Sequence, residues 1–464
     1  MKSLTVIDAL INHLGPSKVL TGEDVKERYF HIWQMDEPLS AKAVLLPQST
    51  ADVSAMMKIC HAHHQPVVTH GGRTNLVGST ETNANEIVIS MEKMNRIEEI
   101  DPKSRTITVQ SGAILETVQQ AAAENKLLFP LNFGAKGSAQ IGGAISTNAG
   151  GLRVLRFGMT RNLVLGLESV LADGRVISSM KKIIKDNSAY DLKHMFIGSE
   201  GTLGIITRAV LKLIETPKSR NSALVGLDSY DKVVAFLKYM DSGLAGTLSG
   251  YELMWKVSYQ ALTSLPSLAS PPLPYDYPYY VLLECLGSDQ EQDMIRLHTL
   301  LEDALAQDLI VDAAPTQSYP DNDRFWAIRE EVGAMVSHCT YEQQFDVSLP
   351  IPLIGEFVES TVEKLQAIPE VEQVFMFGHV ADGNIHFIVG KPNQDAGLTH
   401  AINEVIYLPL QEIGGSVSAE HGIGVHKKAY LSLSRSEEEI QLMKDVKRSL
   451  DPRNILNPGK VLDM

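Results

Sequence analysis

Three clusters of glycine and small polar residues fall between residues 71 and 204, and they constrain this 464-residue chain more than any other feature. The first, His70-Gly71-Gly72-Arg73-Thr74-Asn75-Leu76-Val77-Gly78, follows a β-rich run. The second runs from Gly134-Ala135-Lys136-Gly137-Ser138 through Ile141-Gly142-Gly143-Ala144-Ile145-Ser146-Thr147-Asn148-Ala149-Gly150-Gly151. The third, Gly198-Ser199-Glu200-Gly201-Thr202-Leu203-Gly204-Ile205-Ile206, leads into a strand. Consecutive glycines let backbone N–H groups turn toward one point and approach it closely. Such a nest suits a pyrophosphate, and Arg73 adds a charge. A plain turn is the competing reading of any single cluster. The second cluster has almost no bulk and many neutral donors, which leaves room for a flat heteroaromatic cofactor with a ribityl-diphosphate tail. There is no GxxxxGKS/T, and no GxGxxG opens a helix after a strand. Nucleotide hydrolysis and Rossmann-type NAD binding are therefore demoted.

Around these clusters the chain reads as α+β. Leu4, Ile7, Leu10, Ile11 and Leu14 recur at helical spacing until Gly15-Pro16. From Ala41 onward, short β-rich runs at 43–46, 65–69 and 86–89 alternate with a helical run at 52–63. A second α+β region carries strand-like runs at 222–227 and 278–286 and helical runs at 229–240 and 290–307. Within it, Ser264–Pro278 holds five prolines and is expected to be an exposed connection. A helix is expected over 436–449. At ~150 residues per domain the length allows two or three domains. The expected parts are 1–37, an N-terminal helical segment; 38–216, the glycine-cluster domain; 217–415, a second domain; and 416–464, a C-terminal segment. No internal repeat of fixed period is visible.

Composition narrows the class. A net charge of −15 disfavours a nucleic-acid surface. No apolar run approaches the ~18 residues of a spanning helix. Met1-Lys2-Ser3-Leu4 enters an amphipathic stretch without a signal-peptide pattern. Cys60, Cys285 and Cys339 are scattered, so a reducing compartment is expected.

A second constellation lies further along. Residues 374–380 and 385–389 are strand-like, and Ala381-Asp382-Gly383-Asn384 has turn chemistry. A hairpin closed there sets Val380 against Ile385 and His379 against His386, with opposed Cβ atoms ~4.5–5.5 Å apart. Two imidazoles could then share a metal, although isolated strand histidines are mostly structural. Glu420, in Ala419-Glu420-His421-Gly422, completes a set of two histidines and one carboxylate that suits Zn²⁺, Mn²⁺ or Fe²⁺. His421 points along a different line from its neighbour and could take a hydroxyl proton from a substrate. Arg329, in the helical run 323–331, reads either as a solvated surface arginine or as a bidentate carboxylate clamp.

Together with Val164–Gly174, Lys185–Leu192, Gly378–His386, Ser418–Gly424 and Leu456-Asn457-Pro458, these motifs span the chain. In order and content the chain resembles the vanillyl-alcohol-oxidase-type (VAO/PCMH) FAD flavoproteins, in the branch of D-2-hydroxyglutarate and D-lactate dehydrogenases. The resemblance implies a two-subdomain FAD-binding domain, a ferredoxin-like α+β substrate domain and a C-terminal segment returning to the flavin. It implies FAD contacts from His70, Gly71, Gly72, Arg73, Thr74, Asn75, Leu76, Gly78, Ser79, Gly137, Ser138, Gly142, Gly143, Thr147, Asn148, Gly151, Glu200, Gly201, Gly204, Ile206 and Asn457. It makes His379, His386 and Glu420 the ligands of a divalent metal, zinc first and manganese or iron next. Arg329 becomes the grip on the substrate's C1 carboxylate and His421 the base. The usual Arg-Gly-Gly-Gly-Thr-Gly loop is here His70-Gly71-Gly72-Arg73-Thr74-Asn75. The histidine that bonds FAD covalently in some relatives is replaced by Arg73, so non-covalent FAD is expected.

The departures bear on substrate. D-2-hydroxyglutarate dehydrogenases hold the distal carboxylate with Thr, Lys and Asn; those positions carry Gly333, Gln344 and Ile388 here. A cation and two hydrogen-bonding side chains are lost. A short or apolar D-2-hydroxy acid, such as D-lactate, is therefore preferred over D-2-hydroxyglutarate. The expected electron acceptor is a quinone, an electron-transfer flavoprotein or a cytochrome. The expected location is the cytoplasm, with a peripheral inner-membrane contact as an alternative, and the chain could form a homodimer. A flavin oxidase using O₂ and a flavin electron-transfer subunit remain the competing functions.

Overall fold

The computed structural model describes residues 4–32, 38–264 and 271–464. The chain folds into two compact units. One comprises Met1–Gly151, Gly158–Thr216 and Glu420–Met464; the other comprises Leu152–Phe157 and Pro217–Ala419.

In the first unit a helix spans Val6–Leu14. Thr5 caps it through Asp8, and Gly15 (φ 86°) ends it. Leu10 is buried in the same core as Val53, Met56 and Met57 of helix Thr50–Ala62, so the N-terminal helix is part of this unit's core rather than a free preamble. Residues 1–3 and 33–37 of the expected N-terminal segment lie outside the described residues. Strands Ala43–Leu45, Ile87–Ser90 and Val67–His70 run parallel, with Val19–Leu20 antiparallel at the edge. Burial on both faces explains why these strands read as continuous apolar runs. A second, antiparallel sheet has the order Ile97–Asp101, Thr106–Gln110, Ile205–Lys212, Val164–Val170, Val176–Ser179. The C-terminal residues return to this unit: Leu456 bridges Val67 in parallel, and Asn457 N donates to Val67 O.

Among the described residues, the second unit is built on a seven-stranded sheet, antiparallel throughout. Its strands, numbered along the chain, are β1 Ser219–Leu227, β2 Leu248–Trp255, β3 Tyr279–Gly287, β4 Asp312–Pro315, β5 Tyr341–Ser348, β6 Gln373–Gly378 and β7 Asn384–Lys391. The helices that matter are α1 Tyr230–Leu244, α2 Gln290–Ala306, α3 Tyr319–Glu330, α4 Ile354–Gln366 and α5 Ala396–Glu412. The spatial order is β4-β1-β3-β2-β6-β7-β5. The first half therefore runs β1-α1-β2-β3-α2-β4, a ferredoxin-like unit. The second half repeats it as β5-α4-β6-β7-α5, and Ser416 bridges Ser348 where a fourth strand would lie. The two halves join through β2 and β6, with Leu253 opposite Gly378. The ferredoxin-like α+β domain that the sequence suggests thus consists of two such units in tandem. The repeat has no fixed sequence period because its loops differ in length.

The expected exposed connection at Ser264–Pro278 is corrected in part. Residues 265–270 lie outside the described residues, but Leu273 is buried in the apolar cluster with Tyr259 and Tyr280. Tyr259 OH donates to Leu273 O and Tyr280 OH to Pro274 O, so apolar and aromatic side chains between the prolines fasten the segment down.

Candidate functional site

In the first unit the three glycine clusters converge. A Cβ on Gly72 would lie 2.1 Å from Ser138 O, so only glycine lets the first loop pack on the second cluster. Gly142 N donates to Ser111 O, Glu200 N to Ser146 O, and Ser79 Oγ to Glu200 Oε2. Glu200, buried, also accepts from Ile423 N and Gly424 N, which ties the C-terminal segment to the third cluster. Asn457 accepts from Thr69 N and donates to Glu200 O, and a Cβ on Gly201 would collide with it. Glu200 and Asn457 therefore clasp the loops together. Asn75 and Thr147 are likewise used within their own loops, Asn75 on Thr80 Oγ1 and Thr147 on Gly143 O. Asn148 accepts from Arg161 N. Gly78 and Gly151 have positive φ beside Glu81 and Asn132 O, Gly204 packs on Phe196, and Ile206 is buried. Arg73 occupies the left-handed region (φ 57°), and its Nη1 donates to Tyr29 O. Among the described residues, a Cβ on Gly143 would meet nothing within 4 Å, and one on Gly137 would meet only Glu116, at 3.5 Å. Among the described residues, Thr69 Oγ1, Ser111 Oγ and Gln140 Oε1 are buried without a hydrogen-bond partner beside these loops. A polar ligand lying in the cradle would satisfy such atoms.

His70 does not point outward. Its ring is buried, its Nε2 lies 2.9 Å from Thr80 O, and burial pushes its pKa down to about 3. The imidazole is thus neutral in the fold but protonates near pH 6.5 once unfolded, so the unfolded chain binds the extra proton. This stabilising difference is complete above pH 6.5 and is lost progressively as pH falls toward 3. Unfolding free energy is expected to drop by about 2 kcal/mol between pH 6.5 and 5, a slope that His70→Gln removes. Urea titrations of both proteins check this; equal pH profiles would contradict it.

In the second unit one sheet face gathers the ionisable groups. Phe377 pairs with His386, and Asp346 with His386 across the other edge. The expected hairpin register, His379 opposite His386, is corrected by two residues. The chain leaves the ladder after Gly378 through a 3₁₀ turn at Val380–Asp382, and Gly383 (φ 86°) closes it. His379 O accepts from both Asp382 N and Asn384 N. A two-residue shift preserves the face, so the rings of His379 and His386 still meet, with centroids 5.4 Å apart and planes nearly perpendicular. Each offers a ring nitrogen within 4.8 Å of the other's.

Behind His379 stands Glu252 of β2, 1% exposed. Its Oε1 lies 2.5 Å from His379 Nδ1, and its Oε2 accepts from Arg329 Nε at 2.9 Å and Nη2 at 2.8 Å. Burial would push this carboxyl up, but the charges of His379 and Arg329 outweigh it and hold it below the usual range. Arg329 is 4% exposed on α3, with its guanidinium 4.7 Å above the Phe377 ring. It is thus neither solvated nor free. A substrate carboxylate would have to share the guanidinium with Glu252. Sequence reasoning missed Glu252, though the signal was present: a lone acid in the apolar strand Tyr251-Glu252-Leu253-Met254 must be paired if buried. Asp346, fully buried, lies 4.0 Å from His386 Nδ1 and accepts from Ser418 Oγ.

The three substrate positions share one region of this unit. Ile388 is opposite Gln344 on β5 and Phe375 on β6. It is 1% exposed in an apolar cluster with Met335, Phe375 and Phe377. Gly333 lies on the short helix Val332–Val336, and Gln344 is exposed on the edge strand.

Residues 41–179 match the FAD binding domain family, and residues 216–461 match the C-terminal domain of FAD linked oxidases. The chain is 35% identical over 449 residues to mitochondrial D-2-hydroxyglutarate dehydrogenase of Danio rerio, covering 97% of this chain and 84% of that protein. It is 34% identical to D-2-hydroxyglutarate dehydrogenase of Stutzerimonas stutzeri, with 99% of each chain covered. The chain belongs to the FAD-linked D-2-hydroxyglutarate and D-lactate dehydrogenase family. This dehydrogenase is also 37% identical to a putative mitochondrial D-lactate dehydrogenase of Schizosaccharomyces pombe, over 90% of this chain and 81% of the other. Its fold matches p-cresol methylhydroxylase at TM-score 0.78 and 18% identity, covering 99% and 98% of the two chains. The dehydrogenase is thus an FAD-linked oxidoreductase of VAO/PCMH-type fold, and no described helix is long and apolar enough to cross a membrane.

Proposed function

We propose that this enzyme oxidises a short or weakly polar D-2-hydroxy acid to the 2-oxo acid, with non-covalent FAD and a divalent ion. The observation that carries the metal is the pair of imidazoles on one sheet face, one backed by a buried carboxylate. That is the arrangement that fixes a ligand's tautomer and orientation. With Nδ1 engaged by Glu252, His379 offers Nε2, and His386 lies beside it. The third ligand is Glu420. Ala419 N donates to Asp346 O, and Glu420 follows at one Cα step of ~3.8 Å. Zinc fits this donor set best, with manganese or iron next.

A bound flavin would supply the acceptor for the C2 hydride, and a bound divalent ion would acidify the C2 hydroxyl. His421 takes the hydroxyl proton. Arg329 grips the C1 carboxylate while remaining on Glu252. Thr69, Ser111 and Gln140 offer unpaired polar atoms to the cofactor's polar tail, and Arg73 leaves no nucleophile for a covalent flavin bond. A quinone, an electron-transfer flavoprotein or a cytochrome would serve as the electron acceptor.

Glu252→Gln, which keeps shape but weakens the hold on His379, should lower zinc affinity about 10–100-fold. Competition with a chromophoric chelator measures this; unchanged affinity would remove Glu252 from the metal's support.

The buried, apolar setting of Ile388 and the bare Gly333 favour a short tail. An unpaired distal carboxylate forfeits a charge-assisted bond of ~1.5–3 kcal/mol. We expect kcat/KM for D-lactate or D-2-hydroxybutyrate to exceed that for D-2-hydroxyglutarate by roughly tenfold or more. The second reading, D-2-hydroxyglutarate, is favoured by the names of several relatives. The reverse kinetic ranking would establish it.

A further inference from the structure

The irregular stretch between strand Val176–Ser179 and helix Lys193–Phe196 exposes apolar side chains that nothing in the proposed chemistry uses. Ile183 is 54% exposed, Ile184 76%, Tyr190 91% and Leu192 45%. Such side chains ordinarily turn inward, and contiguous exposed ones mark an interaction surface. Their surroundings are basic. Residues 180–193 carry Lys181, Lys182, Lys185 and Lys193 against Asp186 and Asp191, in a chain whose net charge is −15. Lys181 pairs with Asp186, Lys193 with Asp191 and Lys182 with Glu99. Lys185, beside Ile184, has no carboxylate partner among the described residues.

We infer that this loop docks the enzyme on an anionic lipid surface, with Ile183 and Ile184 entering the headgroup–acyl boundary and Lys185, which no carboxylate among the described residues engages, meeting lipid phosphates. Two adjacent isoleucines flanked by lysines combine buried apolar area with electrostatic attraction to anionic lipid, the two contributions that set the strength of interfacial binding. Lysine stems lie along the apolar zone while their ammonium groups stay at the phosphates. Tyr190, an amphipathic ring, suits the same depth. The loop's backbone is irregular and forms neither helix nor strand, so insertion stops at the interface and does not reach the hydrocarbon core. The chain's overall negative charge is repelled by anionic lipid, so approach is oriented by this one basic, apolar patch. Electron delivery to a membrane-dissolved acceptor would follow from such docking, but the surface itself does not depend on the catalytic reading.

The test is co-sedimentation of the FAD-loaded protein with vesicles of phosphatidylcholine containing phosphatidylglycerol, against pure phosphatidylcholine vesicles. The variants are Ile183→Ser/Ile184→Ser and, separately, Lys185→Glu. We expect binding to the anionic vesicles alone and weakening at high salt. The double isoleucine change should lower the bound fraction about tenfold and Lys185→Glu should lower it less. Turnover with a soluble dye acceptor should stay unchanged in all three proteins, which separates loss of docking from loss of fold. No sedimentation of the unaltered protein, or equal binding by the isoleucine variant, overturns the proposal. So does a dimer in light scattering that only the isoleucine variant dissociates, since a second copy would then cover the patch.

Discussion

His421→Ala is expected to lower kcat about 10²- to 10⁴-fold, the usual contribution of a positioned general base, with flavin and metal content unchanged. The residue follows Glu420 in a glycine-flanked segment, Glu420-His421-Gly422-Ile423-Gly424, whose Ile423 and Gly424 amides are held by buried Glu200. That tether fixes the backbone two residues from the imidazole, so removing the ring should leave the loop in place. Adjacent side chains diverge, which lets one residue serve the ion and the next the substrate. The kinetic signature separates this role from a structural one. A base lost from the transition state lowers kcat and kcat/KM together while KM barely moves. A His421→Ala enzyme with full turnover would remove the residue from the reaction.

Arg329→Ala is expected to have two effects of different origin. Glu252 would keep its buried carboxylate with only His379 beside it, and breaking a buried pair by removing one partner costs about 3–5 kcal/mol. Apparent affinity for the substrate should also fall, because the C1 carboxylate loses its guanidinium. The two effects are separable with Arg329→Lys, which restores a charge for Glu252 but not a planar fork. Stability should recover in part while KM remains high. If KM stays at the unaltered value in both variants, Arg329 serves Glu252 alone and the clamp is wrong. Denaturant titration and steady-state kinetics on the same preparations decide between these outcomes.

Much of the architecture was legible in local sequence signals. Apolar spacing at Leu10 and its neighbours, Gly15, and Ser436 before the last helix are cap and periodicity signals that act within a few residues. What escaped was long-range. The tandem repeat in the second unit is a repeat of topology, joined by connections as different as the proline-rich stretch after β2 and the short turn after β6. The hairpin register slipped by two because Ala381-Asp382-Gly383-Asn384 announces a turn but not its type, and a 3₁₀ turn removes more residues from the ladder than a tight one. Glu252 is 127 residues from His379 and enters the site only because β2 and β6 pair at the junction of the two halves. Arg329 could be read two ways because a helical arginine gives no sign of what it faces. The role of Glu200 and Asn457 in fastening the protein's own loops to one another also depends on contacts distant in sequence.

The most direct test is an anaerobic titration of the purified protein, its flavin spectrum and metal content recorded first. We expect a yellow protein with about one divalent ion per flavin, bleached by a D-2-hydroxy acid and unaffected by the L-enantiomer. Bleaching should be lost on chelation and restored by zinc or manganese. Full bleaching of a metal-free protein, or equal reduction by both enantiomers, would contradict this expectation.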